Sequence, residues 1–146
     1  MDMLWKVKPS LDALNQMSAN TAVSHLGIEF TEIGEDYLAA TMPVDERTRQ
    51  PMGLLHGGAS VLLAETLGSV ASVLCIDFPR QQAVGLAINA NHLRPVRSGV
   101  VSGVVTAIRV GRKNHVWEIR ITDEQKRLVC ISRLTMAVLD GRASGS

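Results

Sequence analysis

Apolar positions along the chain change their period twice, and those two changes set the expected architecture. Leu11, Leu14 and Met17 recur at helical spacing behind Ser10, a good capping residue, and predict a short helix over 11–17. The residues before it read as loosely held. The segment around Ser24 to Gly27 leads to a strand over 28–33, and Gly34-Glu35-Asp36 turns into a second strand over 37–44. There Leu38, Ala40, Met42 and Val44 alternate with Tyr37, Ala39 and Thr41, so the two strands form a predicted hairpin. From Gly58 to Ile76 the residues are apolar or small almost all round, which predicts a helix buried on nearly every side. Leu63, Leu67, Val70 and Leu74 are its expected core face, and Gly58, Glu65, Gly68, Ser69 and Ser72 a smaller, more polar one.

Past a loop over 77–82 containing Phe78-Pro79, alternation returns. A strand over 83–93 would place Val84, Leu86, Ile88 and Ala90 on one side, and Arg94 to Gly99 interrupts it before a strand over 100–110. Gly111 to Asn114 turns into a strand over 115–122 with Trp117, Ile119 and Ile121 inward, and Asp123 to Lys126 turns into a last strand over 127–139. Two strands, one long apolar helix and then long strands joined mainly by tight turns make an α+β protein rather than α/β. One antiparallel sheet buries the helix by curving around it and leaves a face or edge for another subunit, so a dimer is expected.

Composition narrows the class. The chain has 146 residues and no internal repeat, which fits a single domain over 1–140 and a disordered tail over 141–146. Its net charge of +1, with both signs scattered, points to neither nucleic acid nor a membrane surface. Cys75 and Cys130 lie in apolar stretches without metal-ligand spacing and read as buried thiols in a reducing cytoplasm; no metal site is expected. The first residues lack the order of a signal peptide. The helix over 58–76 approaches membrane-spanning length, but Glu65, its serines and its glycines favour a buried helix of a folded domain.

The chemistry is concentrated between Gln50 and Ser69. An ionised Glu65 among Leu62, Leu63, Ala64 and Leu67 is unfavourable unless it is paired, hydrated or kept for reaction. His56-Gly57-Gly58 opens the same helix, where free N–H groups and the positive end of the helix dipole favour a partly negative oxygen. A carbonyl group under attack develops that charge, so the helix start is a candidate oxyanion site. The polar connection over 45–51 brings Gln50 to the helix mouth, where it and His56 are further donors. Each feature also has a plainer reading: His-Gly-Gly as an ordinary turn, Glu65 as a buried acid paired with an arginine from elsewhere, and Arg94, Arg97, Arg109, Arg112 and Lys113 as a solvated rim.

Four stretches together are more specific: Met42-Pro-Val-Asp, the run from Arg47 through His56-Gly-Gly-Ala-Ser60, Ala64-Glu-Thr-Leu-Gly-Ser69, and Gly85-Leu-Ala-Ile-Asn-Ala-Asn-His-Leu-Arg94. Through them nearly the whole chain resembles the hot-dog-fold acyl-CoA thioesterases of the phenylacetate and menaquinone type. It is similar to the bacterial 1,4-dihydroxy-2-naphthoyl-CoA thioesterases and their enterobactin-pathway proofreading relatives. The resemblance implies that Glu65 acts as nucleophile or as general base for water, and that the Gly57 N–H polarises the thioester carbonyl with help from His56 and Gln50. It further implies that Ser69 positions water or the acid. Glu65 of one subunit would meet His56-Gly57 of its neighbour, and two dimers would join as a homotetramer. His92 to Arg94 and the turn from Arg109 through Gly111, Arg112, Lys113 and Asn114 would bind the nucleotide and phosphates of coenzyme A, which is part of the substrate; no other cofactor is implied. The implied acyl group is aromatic, hydroxynaphthoyl before hydroxybenzoyl. A hot-dog hydratase or dehydratase acting on acyl carrier protein, and a non-catalytic acyl-CoA-binding protein, are the alternatives.

Overall fold

The computed structural model describes residues 3–141. Apart from Gly141, the tail expected to be disordered lies outside the described residues. Two short helices, α1 (Leu11–Met17) and α2 (Ala22–His25), precede the hairpin β1 (Glu29–Ile33) and β2 (Tyr37–Pro43). The long helix α3 (Gly57–Leu74) follows, then β3 (Gln81–His92), β4 (Val100–Val110), β5 (Asn114–Thr122) and β6 (Leu128–Asp140). The strands form one six-stranded antiparallel sheet in the order β1-β2-β4-β5-β6-β3. Helix α3 packs against β2, β3, β4, β5 and β6 at once, which requires the sheet to curve around it. This is the α+β hot-dog arrangement.

The alternation read from the sequence sorts most strands correctly. Leu38, Ala40, Met42 and Val44 are buried on one side of the first hairpin, and Trp117, Ile119 and Ile121 on β5. Ser10 caps α1 by accepting from the Ala13 N–H at 3.1 Å. Although α3 matches a membrane span in length and mean hydropathy (1.4), it is the core helix of this fold.

Four expectations are corrected. The N-terminal segment is tied down: Trp5 is buried, stacks on Trp117 at 6.4 Å and donates from Nε1 to the Gly34 carbonyl at 2.8 Å, while the Leu4 and Lys6 N–H groups bond to the Glu35 and Leu74 carbonyls. Helix α2, capped by Thr21 and only four residues long, offered no periodicity to read. On α3 the tightly buried positions are Ser60, Leu63, Ala64, Leu67, Gly68, Ala71 and Ser72, with Val70 and Leu74 only partly buried. Gly68 faces inward because Leu134 takes its side-chain space; a Cβ there would lie 2.4 Å from Leu134 Cδ2.

The fourth correction concerns β3. A bulge between Gly85 and Ala87 breaks the alternation, so Ala83, Ile88 and Ala90 pack toward the core while Val84 and Leu86 are exposed. Strand β3 is also one edge of the sheet. At the opposite edge, Asn15 of α1 covers β1: its Oδ1 accepts from the Phe30 N–H at 2.8 Å and its Nδ2 donates to the Phe30 carbonyl at 3.1 Å.

Candidate active site

The helix start is built by the loop before it. Thr48 is buried and donates from Oγ1 to the Pro43 carbonyl at 2.8 Å, and its own carbonyl accepts from the His56 N–H at 2.8 Å. Between them the chain makes a tight loop: Gln50 N–H bonds to the Leu54 carbonyl at 2.8 Å, Gly53 N–H to the Gln50 carbonyl at 2.9 Å, and Gly53 adopts φ +81°. The Gln50 side-chain oxygen accepts from the Met52 N–H. Its amide NH2 is the end left to donate.

His56 is the N-cap of α3. Its Nδ1 accepts from the Gly58 N–H at 2.8 Å, so the neutral ring carries its proton on Nε2 and presents a donor there. The Ala59 and Ser60 N–H groups both bond to the His56 carbonyl, at 3.0 and 3.2 Å. Among the described residues, the Gly57 N–H alone in this first turn has no acceptor. Gly57 lines a cavity of about 370 Å³ together with Gln50, Leu54, Ser60, His92 and Arg94, among others. The His92 ring lies close over Gly57: a Cβ there would lie 2.8 Å from His92 Nε2, so a side chain would displace that ring.

Glu65 stands eight residues further along α3, about 12 Å at the rise of an α-helix. It is half-buried, and among the described residues its carboxylate makes no ion pair and no side-chain hydrogen bond, so the arginine partner of the plainer reading is absent there. Its neighbour is Gly85 at the β3 bulge, where a Cβ would lie 2.7 Å from Glu65 Oε2. Ser69, one turn beyond Glu65, lies 3.8 Å from Met136 Sδ through its Oγ. Glu65 and Ser69 line a second cavity of about 380 Å³, walled by Leu62, Thr66 and Val70 of α3 and by Met17, Ser18, Thr21 and Val23 from the α1–α2 segment. That wall was missed from sequence, as was Gly85, because neither carries a chemical signal of its own.

One chain therefore brings Gln50, His56, Gly57, His92 and Arg94 to one end of α3, and Glu65 with Ser69 to a different cavity. Reacting groups must approach to about 3–3.5 Å. Gly57 and Glu65 of the same chain line different cavities, with about 12 Å of helix rise between them.

The turn from Arg109 to Asn114 lies elsewhere. His92 pairs with Cys130 and Asn114 with Ala137, which separates them by seven residues of β6, about 23 Å of strand. The turn is closed by the Gly111 N–H on the Asn114 carbonyl at 2.9 Å and tied to β6 by the Val138 N–H on the Lys113 carbonyl at 2.8 Å. Behind it His115 is buried, and burial holds its pKa below the usual imidazole value while a hydrogen bond to the Gly111 backbone opposes that shift. Among the described residues, no group of three His, Cys, Asp or Glu side chains is placed to hold a metal ion.

The model of the thioesterase superfamily matches residues 52–130, which include the helix start, Glu65 and the turn. The chain belongs to the thioesterase superfamily. This thioesterase is 56% identical over 137 residues to the 1,4-dihydroxy-2-naphthoyl-CoA hydrolase of Escherichia coli, covering 94% of this chain and 100% of that one. It is 54% identical over 137 residues to the proofreading thioesterase EntH of Cronobacter turicensis, covering 94% and 99%. The crystal structure of a thioesterase from Haemophilus influenzae superimposes with a TM-score of 0.94 at 54% identity, covering 99% of this chain and 100% of the other. The enzyme is a thioester hydrolase with the hot-dog fold, as its resemblance implied.

Proposed function

We propose that the enzyme hydrolyses an aromatic acyl-CoA to the free acid and coenzyme A, at sites shared between two protomers. The observation that carries this reading is that the unpaired Gly57 N–H and the unpaired Glu65 of one chain, separated by about 12 Å of helix rise, line different cavities. Each half is incomplete alone, and a second copy of the chain supplies the other. The substrate carbonyl accepts from the Gly57 N–H, with His56 Nε2–H and the Gln50 amide as supporting donors, and Glu65 of the neighbouring protomer attacks it or activates water for attack. Ser69, on the same helix face as Glu65, orients the water or the acid. The tetrahedral oxyanion is stabilised by donors already in place, and collapse expels the thiolate of coenzyme A; where Glu65 itself attacks, water then hydrolyses the resulting acyl–Glu65 anhydride to the free acid and restores the carboxylate.

The free edge at β3 favours pairing of two protomers there, consistent with the homodimer, and with two dimers forming a homotetramer. His92 and Arg94 of one protomer and the turn over 109–114 of the other hold the nucleotide and phosphates. The name of one relative supports an aryl acyl group: it is a hydrolase of 1,4-dihydroxy-2-naphthoyl-CoA. Two free buried thiols fit a cytoplasmic location.

Thiol release from a panel of aryl-CoA, alkyl-CoA and acyl-carrier-protein esters, measured for the wild type and for Glu65→Gln, tests this. The expected result is release that is fastest with aryl esters and is lost in the variant while the oligomer persists. Undiminished release by Glu65→Gln removes the acid from the mechanism. Equal turnover of all esters removes the aryl preference, and release only from carrier-protein esters replaces coenzyme A as the thiol carrier.

A further inference from the structure

One buried hydroxyl near the helix start is not used by this mechanism. Helix α3 carries four hydroxyl groups, on Ser60, Thr66, Ser69 and Ser72. Thr66 donates to the Leu62 carbonyl at 2.6 Å, Ser69 lies against Met136 Sδ, and Ser72 is bonded to Trp117 and His115. Ser60 is 1% exposed, and among the described residues its hydroxyl has no hydrogen-bond partner. The reason is local. A helical serine commonly donates to the carbonyl four residues back, here that of His56, but that oxygen already accepts from the Ala59 and Ser60 N–H groups at 3.0 and 3.2 Å, one for each lone pair.

The hydroxyl is not sealed in. Among the described residues, every side-chain nitrogen or oxygen cut off from solvent has a partner, so the unpaired Ser60 Oγ keeps the residue's small exposure, and Ser60 lines the same cavity as Gly57. Helical side chains lean toward the N-terminus, which carries that of Ser60 over the turn that Gly57 opens. Residues three apart on a helix are neighbours on one face, roughly 5–6 Å from each other. Around them Leu54, Leu55, Leu93, Pro95 and Val129 give the cavity an apolar wall. An unpaired hydroxyl in such a place works against folding, and alanine would not. A polar group entering the cavity gives it a partner and needs one in return.

The geometry points to Ser60 as a binding residue for the pantetheine arm of the substrate: its hydroxyl bonds to the amide nearest the sulfur while the thioester carbonyl accepts from the Gly57 N–H. This rests on the reading that places the carbonyl at Gly57. Four single bonds join the thioester carbonyl carbon to that amide nitrogen, about 5 Å when extended, which matches the spacing of Gly57 and Ser60 on the helix. A hydroxyl both donates and accepts, so it can pair with either end of an amide. The arm is the part that coenzyme A shares with a carrier protein, and the contact is the same for both.

The test compares wild type and Ser60→Ala with two benzoyl thioesters, one of N-acetylcysteamine, which keeps this amide, and one of pentanethiol, which has the same chain length and no amide. Thiol release gives kcat/KM, and NMR titration with the matching benzamides, in which N–H replaces the thioester sulfur, gives Kd without any reaction. Ser60→Ala is expected to weaken the amide-bearing ligand roughly three- to tenfold relative to the pentyl one, in Kd and in kcat/KM alike, as the loss of one hydrogen bond predicts. Its thermal midpoint should not fall, because the group removed has no partner in the protein. Equal losses with both ligands, or a loss with neither, overturns the proposal; a kcat loss shared by both thioesters would make Ser60 a donor to the carbonyl and overturns it too. The contrast in Kd without thiol release by the wild type from any ester refutes the hydrolysis reading alone, whereas release from aryl-CoA without that contrast refutes the role of Ser60 alone.

Discussion

Gly85→Ala tests how Glu65 is held. A Cβ at Gly85 would lie 2.7 Å from Glu65 Oε2, about 0.7 Å short of the 3.4 Å at which ordinary van der Waals contact begins. The backbone at Gly85 has no positive φ, so alanine fits the strand and the conflict falls on the carboxylate, the mobile end of a side chain that can swing away. Little stability is lost, within about 1 kcal/mol, because strand entropy improves as the contact worsens. A reacting group displaced by about 1 Å loses on the order of a hundredfold in rate, so a 0.7 Å shift predicts a kcat reduced roughly ten- to a hundredfold with KM changed little. Steady-state thiol release from an aryl-CoA, with thermal denaturation of the same preparation, measures both quantities. A kcat within twofold of wild type at unchanged stability refutes the idea that the bulge and Gly85 set the position of Glu65.

Further expectations concern the rest of the framework. Ser72→Ala strands a buried indole N–H and a buried imidazole nitrogen and should lower unfolding free energy by about 2–4 kcal/mol, read as a denaturant midpoint shift at constant m-value. Leu134→Ala, under Gly68, should cost about 2–5 kcal/mol, and a smaller loss would mean that the helix settles into the vacated space. Because burial lowers the pKa of His115 below its unfolded value of 6.5, the unfolded chain takes up a proton that the folded chain refuses. His115 thus withdraws stability as pH falls below about 6.5, levelling off below its folded pKa, and that loss should vanish in His115→Gln. Burial pushes the Cys75 thiol up to about 11, so neither it nor buried Cys130 should react with a disulfide reagent at neutral pH until the protein unfolds.

Local chemistry made much of the fold legible. Strict alternation in β2 and β5 works because one face of each strand packs on α3 and the other does not, so Leu38, Met42, Trp117 and Ile119 declare themselves. It failed in β3, where one extra residue at the bulge flips the register, and bulges leave no period to detect. The faces of α3 were hard to sort for a related reason: residues apolar or small all round do not say which side meets the sheet. Ser72 looked like part of the polar face and is instead buried under Trp117 and His115.

The same division runs through the site. The sequence by itself determined which groups are present: a glutamate in an apolar helix, a His-Gly-Gly start, a glutamine in the preceding loop and a cationic turn, because side-chain chemistry and helix-end polarity are local properties. Only the tertiary structure decided which donors are free, since His56 consumes the Gly58 N–H and leaves that of Gly57 open. It alone separated Gly57 and Glu65 into different cavities of one chain, placed Gly85 beside the carboxylate and bonded His115 to Ser72. Those are distances between residues far apart in sequence, fixed by how the sheet closes around the helix, and no local pattern encodes them.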